Sequence, residues 1–146
     1  MAFGRLRDSK RGEMRPRISV CNLGVQDLAR ARSFYEGMGF KARPESSERA
    51  VFFQLEWSWL SLFPRERLAA LCGMDPAGSG FPGFCFSHNV TSPEEVDQTL
   101  ELAVQLGGSI ASPLRSGEYG RIGYFADPDG YRWEVAYTPR WHELAE

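Results

Sequence analysis

A carboxylate stands in the middle of an apolar strand pattern. In Tyr131-Arg132-Trp133-Glu134-Val135-Ala136-Tyr137, alternation puts Trp133, Val135 and Tyr137 on one face and Arg132, Glu134 and Ala136 on the other. An unpaired carboxylate there is costly, so something must face it. Two readings fit: a polar anchor or general base whose pKa is raised in an apolar cleft, or a structural carboxylate paired with an arginine such as Arg132 or Arg121 or left at the cleft mouth. The other reactive side chains are fewer. His88 shares strand parity with Phe84 and Phe86, which sets it toward the helix-packed side as a core histidine held by a backbone hydrogen bond. Cys85 has the opposite parity and no base beside it, so it reads as a small buried hydrophobe rather than a nucleophile. His142 falls near the C-terminus and is expected to be exposed. The chain contains no Gly-rich phosphate loop followed by Lys, no His-Glu-x-x-His and no Gly-x-Ser-x-Gly.

The elements that would position Glu134 read in two similar sets. Ile18–Val25 alternates like a strand and runs into Asp27, a helix N-cap candidate. Leu28–Met38 has its apolar residues at helical spacing and ends at Gly39. Phe40-Lys41-Ala42 starts another extended piece, and Val51–Leu55 and Trp59–Phe63 follow, joined across Glu56-Trp57-Ser58. Then the order recurs. Phe84–Val90 is strand-like, Ser92-Pro93-Glu94-Glu95 opens a helix, and Gly107-Gly108 stops it. Ser109–Ser112, Ile122–Ala126 and Tyr131–Tyr137 complete the second set, the last two joined by the turn Asp127-Pro128-Asp129-Gly130. The expected fold is α+β, with two tandem β-α-β-β-β modules.

Residues 17–139 hold this pattern: module one over 17–64, a linker over 65–83 with a short helix at Arg65–Leu71, and module two over 84–139. Residues 1–16 form a basic extension carrying Arg5, Arg7, Lys10, Arg11 and Arg15, and 140–146 a tail. A solvated terminal segment is the favoured reading of the extension.

Leu23-Gly24-Val25-Gln26-Asp27-Leu28, Ser33-Phe34-Tyr35 and Gly37-Met38-Gly39-Phe40, together with Phe125-Ala126-Asp127-Pro128-Asp129-Gly130 and Trp133-Glu134-Val135, resemble the vicinal oxygen chelate superfamily. Glyoxalase I, bleomycin-resistance proteins and extradiol dioxygenases belong to it. The resemblance implies modules whose strands curl as one mixed sheet around a shared cleft, often completed by a second subunit. Metal-using relatives take four ligands, commonly His or Gln and Glu, from one inward position on the first and last strand of each module. Carried over by motif, those positions are Val20, Ser61, Cys85 and Glu134. Only Glu134 is a good ligand for a hard or borderline divalent ion, so no bound catalytic metal or other cofactor is expected.

Strand parity puts Asn22, Phe53, Trp59, Ser61, Ser87 and Glu134 in the cleft. Flat aromatics, small polar groups and one acid suit a small organic ligand with an aromatic or cationic part. The expectation is a binder that uses no metal. Two enzymes stand as alternatives: a metal-dependent lyase or dioxygenase of the glyoxalase type, or a metal-free isomerase or lyase with Glu134 as base.

Composition bounds the rest. At 146 residues, 42% hydrophobic and 25% charged, the chain is an ordinary single domain. A net charge of −2 argues against a general nucleic-acid binder, and the apolar runs are too short to span a membrane. Three unspaced cysteines and no secretory pattern make the cytoplasm the expected compartment. Unpaired edges and apolar surface on a half-open sheet predict a homodimer.

Overall fold

A computed structural model describes residues 12–146. Arg5, Arg7, Lys10 and Arg11 of the basic extension lie outside the described residues. The elements run β1 (Val20–Val25), α1 (Leu28–Gly37), β2 (Val51–Gln54), β3 (Trp59–Pro64), α2 (Arg65–Leu71), β4 (Phe86–Asn89), α3 (Pro93–Gln105), β5 (Ser109–Gly117), β6 (Gly120–Ala126) and β7 (Arg132–Tyr137), followed by a 3-10 turn at Pro139–Leu144. The class is α+β. No helix among the described residues is long and apolar enough to cross a membrane.

Local chemistry sets the helix starts. Asp27 accepts from the Arg30 backbone N–H at 3.0 Å, and Ser92 accepts from that of Glu95 at 3.3 Å. Glu95 reaches back to the Thr91 N–H at 2.9 Å, which ties the residue before the N-cap to the first turn of α3. Pro93 sits in the first turn, where its missing N–H costs nothing.

The strands hydrogen-bond as two mixed sheets. Sheet one has the order β1-β3-β2 and sheet two β4-β7-β6-β5, with β1 parallel to β3 and β4 parallel to β7. Phe40–Ala42 does not become a strand and makes only an isolated bridge, Ala42 to Phe53. Arg43 N–H still bonds Phe52 O at 2.8 Å, but Pro44 has no donor to continue and the chain turns. Conversely, β5 runs on to Gly117 through Pro113. It is an edge strand with register shifts on both sides of Ser112, which is where a sheet tolerates proline.

The apolar faces of both sheets bury α1 and α3 in one continuous core. Leu23, Phe34, Tyr35, Phe53 and Leu60 from the first half meet Val96, Leu100, Phe125, Trp133 and Val135 from the second. The two halves are tied by the β6–β7 turn. Asp127, only 4% exposed, accepts from the Asp129 and Tyr131 backbone N–H groups at 2.9 Å and from the Tyr35 hydroxyl at 2.6 Å. Tyr35 in turn accepts from Trp133 Nε1 at 3.1 Å. Asp129 Oδ1 takes the Gln26 N–H at the head of α1, and the Tyr131 hydroxyl donates to Gly24 O, both at 2.9 Å. Gly130 supplies the positive φ of 90° that closes this turn.

Candidate functional site

Alternation gives each sheet a helix-covered face and an open face. On the open face of sheet two, Glu134 of β7 stands between β4 and β6, opposite Ser87 and Tyr124 in register. The Ser87 hydroxyl donates to Glu134 Oε1 at 2.8 Å, and the Tyr124 hydroxyl donates to Oε2. Neither arginine considered from the sequence pairs with it. Arg121 is held by Asp97 at 2.7 Å, and Arg132 bonds Gly130 O at 2.7 Å. Two neutral hydroxyls therefore fix the carboxylate without cancelling its charge. That charge acts back on Tyr124. The hydrogen bond to Glu134, then partial burial and the negative field, push its pKa up to about 12. Beyond them Asn89 donates to Thr138 Oγ1 at 3.0 Å.

The open face of sheet one is aromatic. Asn22, Ser61 and Phe52 are register neighbours, flanked along β3 by Trp59 and Phe63. Phe52 lies 6.5 Å from Trp59 and 6.2 Å from Phe63, ring centre to ring centre. Arg43 stacks its guanidinium 4.5 Å above Trp59 while bonding Gln54 and Glu45. Ser61 is 1% exposed, and its hydroxyl is buried with no partner.

The structure thus joins Ser87 to Glu134 and sets Asn22, Trp59 and Ser61 on one face of the other sheet. No hydrogen bond links the two groups among the described residues. Phe53 is elsewhere. It pairs with Leu60, is wholly buried, and packs against Tyr35 and Phe40 in the core. Leu55 N–H bonds Ser58 O, so the turn between β2 and β3 closes around two residues, Glu56 and Trp57, rather than three, and the one-residue shift exchanges Phe52 for Phe53. His88 does share the helix side with Val135, but it is exposed rather than buried, because β4 is a sheet edge. Cys85 is exposed as well, just ahead of β4 and close enough to Tyr124 to act on it electrostatically. Tyr124 and Arg43 were missed from the sequence. Tyr124 could have been found by counting residues outward from both sides of the Asp127–Gly130 turn. Arg43 lies in an irregular segment with no periodicity to read.

The match to known families now decides the lineage. Residues 17–135 match the model of the glyoxalase/bleomycin resistance protein/dioxygenase superfamily. The chain belongs to that superfamily. A glyoxalase-related enzyme from Fulvimarina pelagi is 30% identical, with 85% of this chain and 89% of that one covered at a TM-score of 0.76. The fosfomycin resistance protein FosX from Mesorhizobium loti is 26% identical over 90% of this chain and 100% of its own, at 0.64. A lactoylglutathione lyase from Agrobacterium tumefaciens, 22% identical over 88% and 98% at 0.64, shares the fold. No curated protein matches by sequence.

As a glyoxalase-superfamily chain, it can be tested for the family's metal set. Val20 offers a hydrocarbon, Ser61 a buried neutral hydroxyl, and only Cys85 and Glu134 could carry charge to an ion. No group of three or more His, Cys, Asp or Glu that could hold a metal occurs among the described residues. Among the described residues, the donors at these four positions do not fit a catalytic divalent ion.

Proposed function

We propose that this superfamily member binds a small organic molecule with a flat aromatic body and a cationic or hydrogen-donating end, without using a catalytic metal. One observation carries the reading: Glu134 is oriented by Ser87 and Tyr124, and among the described residues no cationic side chain forms an ion pair with it. A fixed, uncompensated carboxylate attracts a ligand cation or N–H more strongly than a mobile or ion-paired one. The ring faces of Phe52, Trp59 and Phe63 would hold the flat part, with Asn22 and Ser61 between them. The likeness to a fosfomycin resistance protein supports a resistance role.

We place the protein in the cytoplasm as a homodimer. The first strand of each half, β1 and β4, is an unpaired sheet edge, and Val20 on β1 is 38% exposed. The ligand then takes its aromatic wall from sheet one of the same chain or of its partner. Mixing Glu134→Gln chains with Trp59→Ala chains separates the two arrangements. Recovery of binding in mixed dimers shows a site shared between chains.

The test is a thermal-shift screen of planar cations and amines, with metal analysis of the desalted protein run beside it. A hit that Glu134→Gln weakens by roughly 10-fold or more, as expected for a lost charge-assisted contact, upholds the reading. Near-stoichiometric retention of nickel, zinc, manganese or iron that Glu134→Ala abolishes overturns it and favours metal-dependent lyase or dioxygenase chemistry. The orientation of Glu134 also suits a general base, so screened hits should be followed for turnover.

A further inference from the structure

A second hollow lies on the other side of sheet two, away from Glu134. It measures about 120 Å³ and opens between the C-terminal end of α1, the middle of α3 and the inner face of β7. Phe40, Phe125 and Trp133 line it with ring surface, and Met38 and Leu102 add flexible apolar side chains. Two polar groups complete the lining. His88 on the edge strand β4 is exposed at the rim, and Thr99 of α3 is half-buried. Among the described residues neither side chain hydrogen-bonds another protein group, although the neighbouring Thr91, Ser92 and Glu95 are all engaged.

We propose that this hollow is a binding site for a single six-membered aromatic ring carrying one hydroxyl, that is, a phenol-type molecule. The volume sets how much of a ligand is enclosed. A dry apolar cavity of about 150 Å³ accepts benzene, so the space here holds about one ring and a larger ligand would protrude into solvent. The lining sets the ring, because aromatic walls and a thioether favour a flat, polarisable guest. The unpartnered imidazole and hydroxyl set the substituent, since a ligand O–H can both donate and accept. The site is distinct from the Glu134 face, because Trp133 and Glu134 are adjacent on β7 and point to opposite sides of the sheet. Occupation would press on Trp133 and Tyr35, two residues of the contact that ties the halves together.

Phenol and benzene titrations, followed by the NMR signals of the Met38 methyl and the Trp133 indole N–H, test the assignment on the full chain. Phenol should saturate those signals and bind roughly 2- to 10-fold more tightly than benzene, the margin a hydrogen bond confers. The double variant His88→Leu with Thr99→Val should bring phenol down to benzene. Leu102→Trp should block both ligands, and the milder Leu102→Phe stands in if that chain fails to fold. Phenol bound on the open face is not read at Met38, so Glu134→Gln should leave the titrations of the Met38 methyl unchanged, and failure here and failure of the open-face reading are separable. No saturable shift of Met38 or Trp133, or phenol binding indifferent to the double variant and to filling at Leu102, overturns the proposal.

Discussion

Tyr124 reports on its contact with Glu134. Because the carboxylate holds its proton, Tyr124 ionises at about 12 when folded, against the usual value near 10. Stability from this contact is fully present below the unfolded value and is lost as pH rises from there toward 12. Glu134→Gln should move the transition back toward the ordinary range in a tyrosinate absorbance titration, with Tyr124→Phe identifying the signal. Asp127 behaves differently. Burial raises its carboxyl above the usual range even though Tyr35 and two backbone N–H groups partly offset it. The native state therefore holds that proton to higher pH than the unfolded chain does. The associated stability is present below the unfolded pKa and is lost as pH rises through the folded one. Asp127→Asn carries no such dependence. Its stability deficit in urea melts should be larger at about pH 4 than at about pH 7.

At the scale of elements, turns decide which residues can meet. The β5–β6 hairpin closes on Gly120, whose φ is +118° and whose missing Cβ would stand 1.8 Å from Tyr137 O. Gly120→Ala faces both backbone strain and a clash that no side-chain movement relieves. It should cost about 2–4 kcal/mol in urea unfolding, above the usual penalty for a single strained residue. Turn chemistry also explains what could be read from the sequence. The Asp127–Gly130 turn and the caps Asp27 and Ser92 rest on neighbours in sequence, so they were legible, and Ser87, placed by parity, does meet Glu134. The face of Phe53 depended on whether the β2–β3 loop held two or three residues, and composition does not distinguish these. The exposure of His88 depended on β4 ending a sheet, which is a property of pairing across the whole chain.

At the scale of the molecule, the shared core and the β6–β7 turn hold the halves as one body. Tyr35→Phe removes a hydroxyl that serves Asp127 and Trp133 at once, leaving a buried acceptor and a buried donor short of a partner. Each orphaned group costs about 1–3 kcal/mol, so the variant should lose more stability than an ordinary Tyr→Phe change while its urea slope stays constant. That same contact imposes an order in time. The residues it joins lie between 92 and 107 positions apart along the chain. A ribosome has released β1 and α1 long before it makes Asp127, so during synthesis the first half waits with Tyr35 unsatisfied and its aromatic surface uncovered. Such long-range closure slows folding and lengthens exposure to aggregation. In vivo, chaperone demand should therefore track translation speed across the second half, and a stalled chain lacking residues 127–133 should be a preferred target of proteolysis.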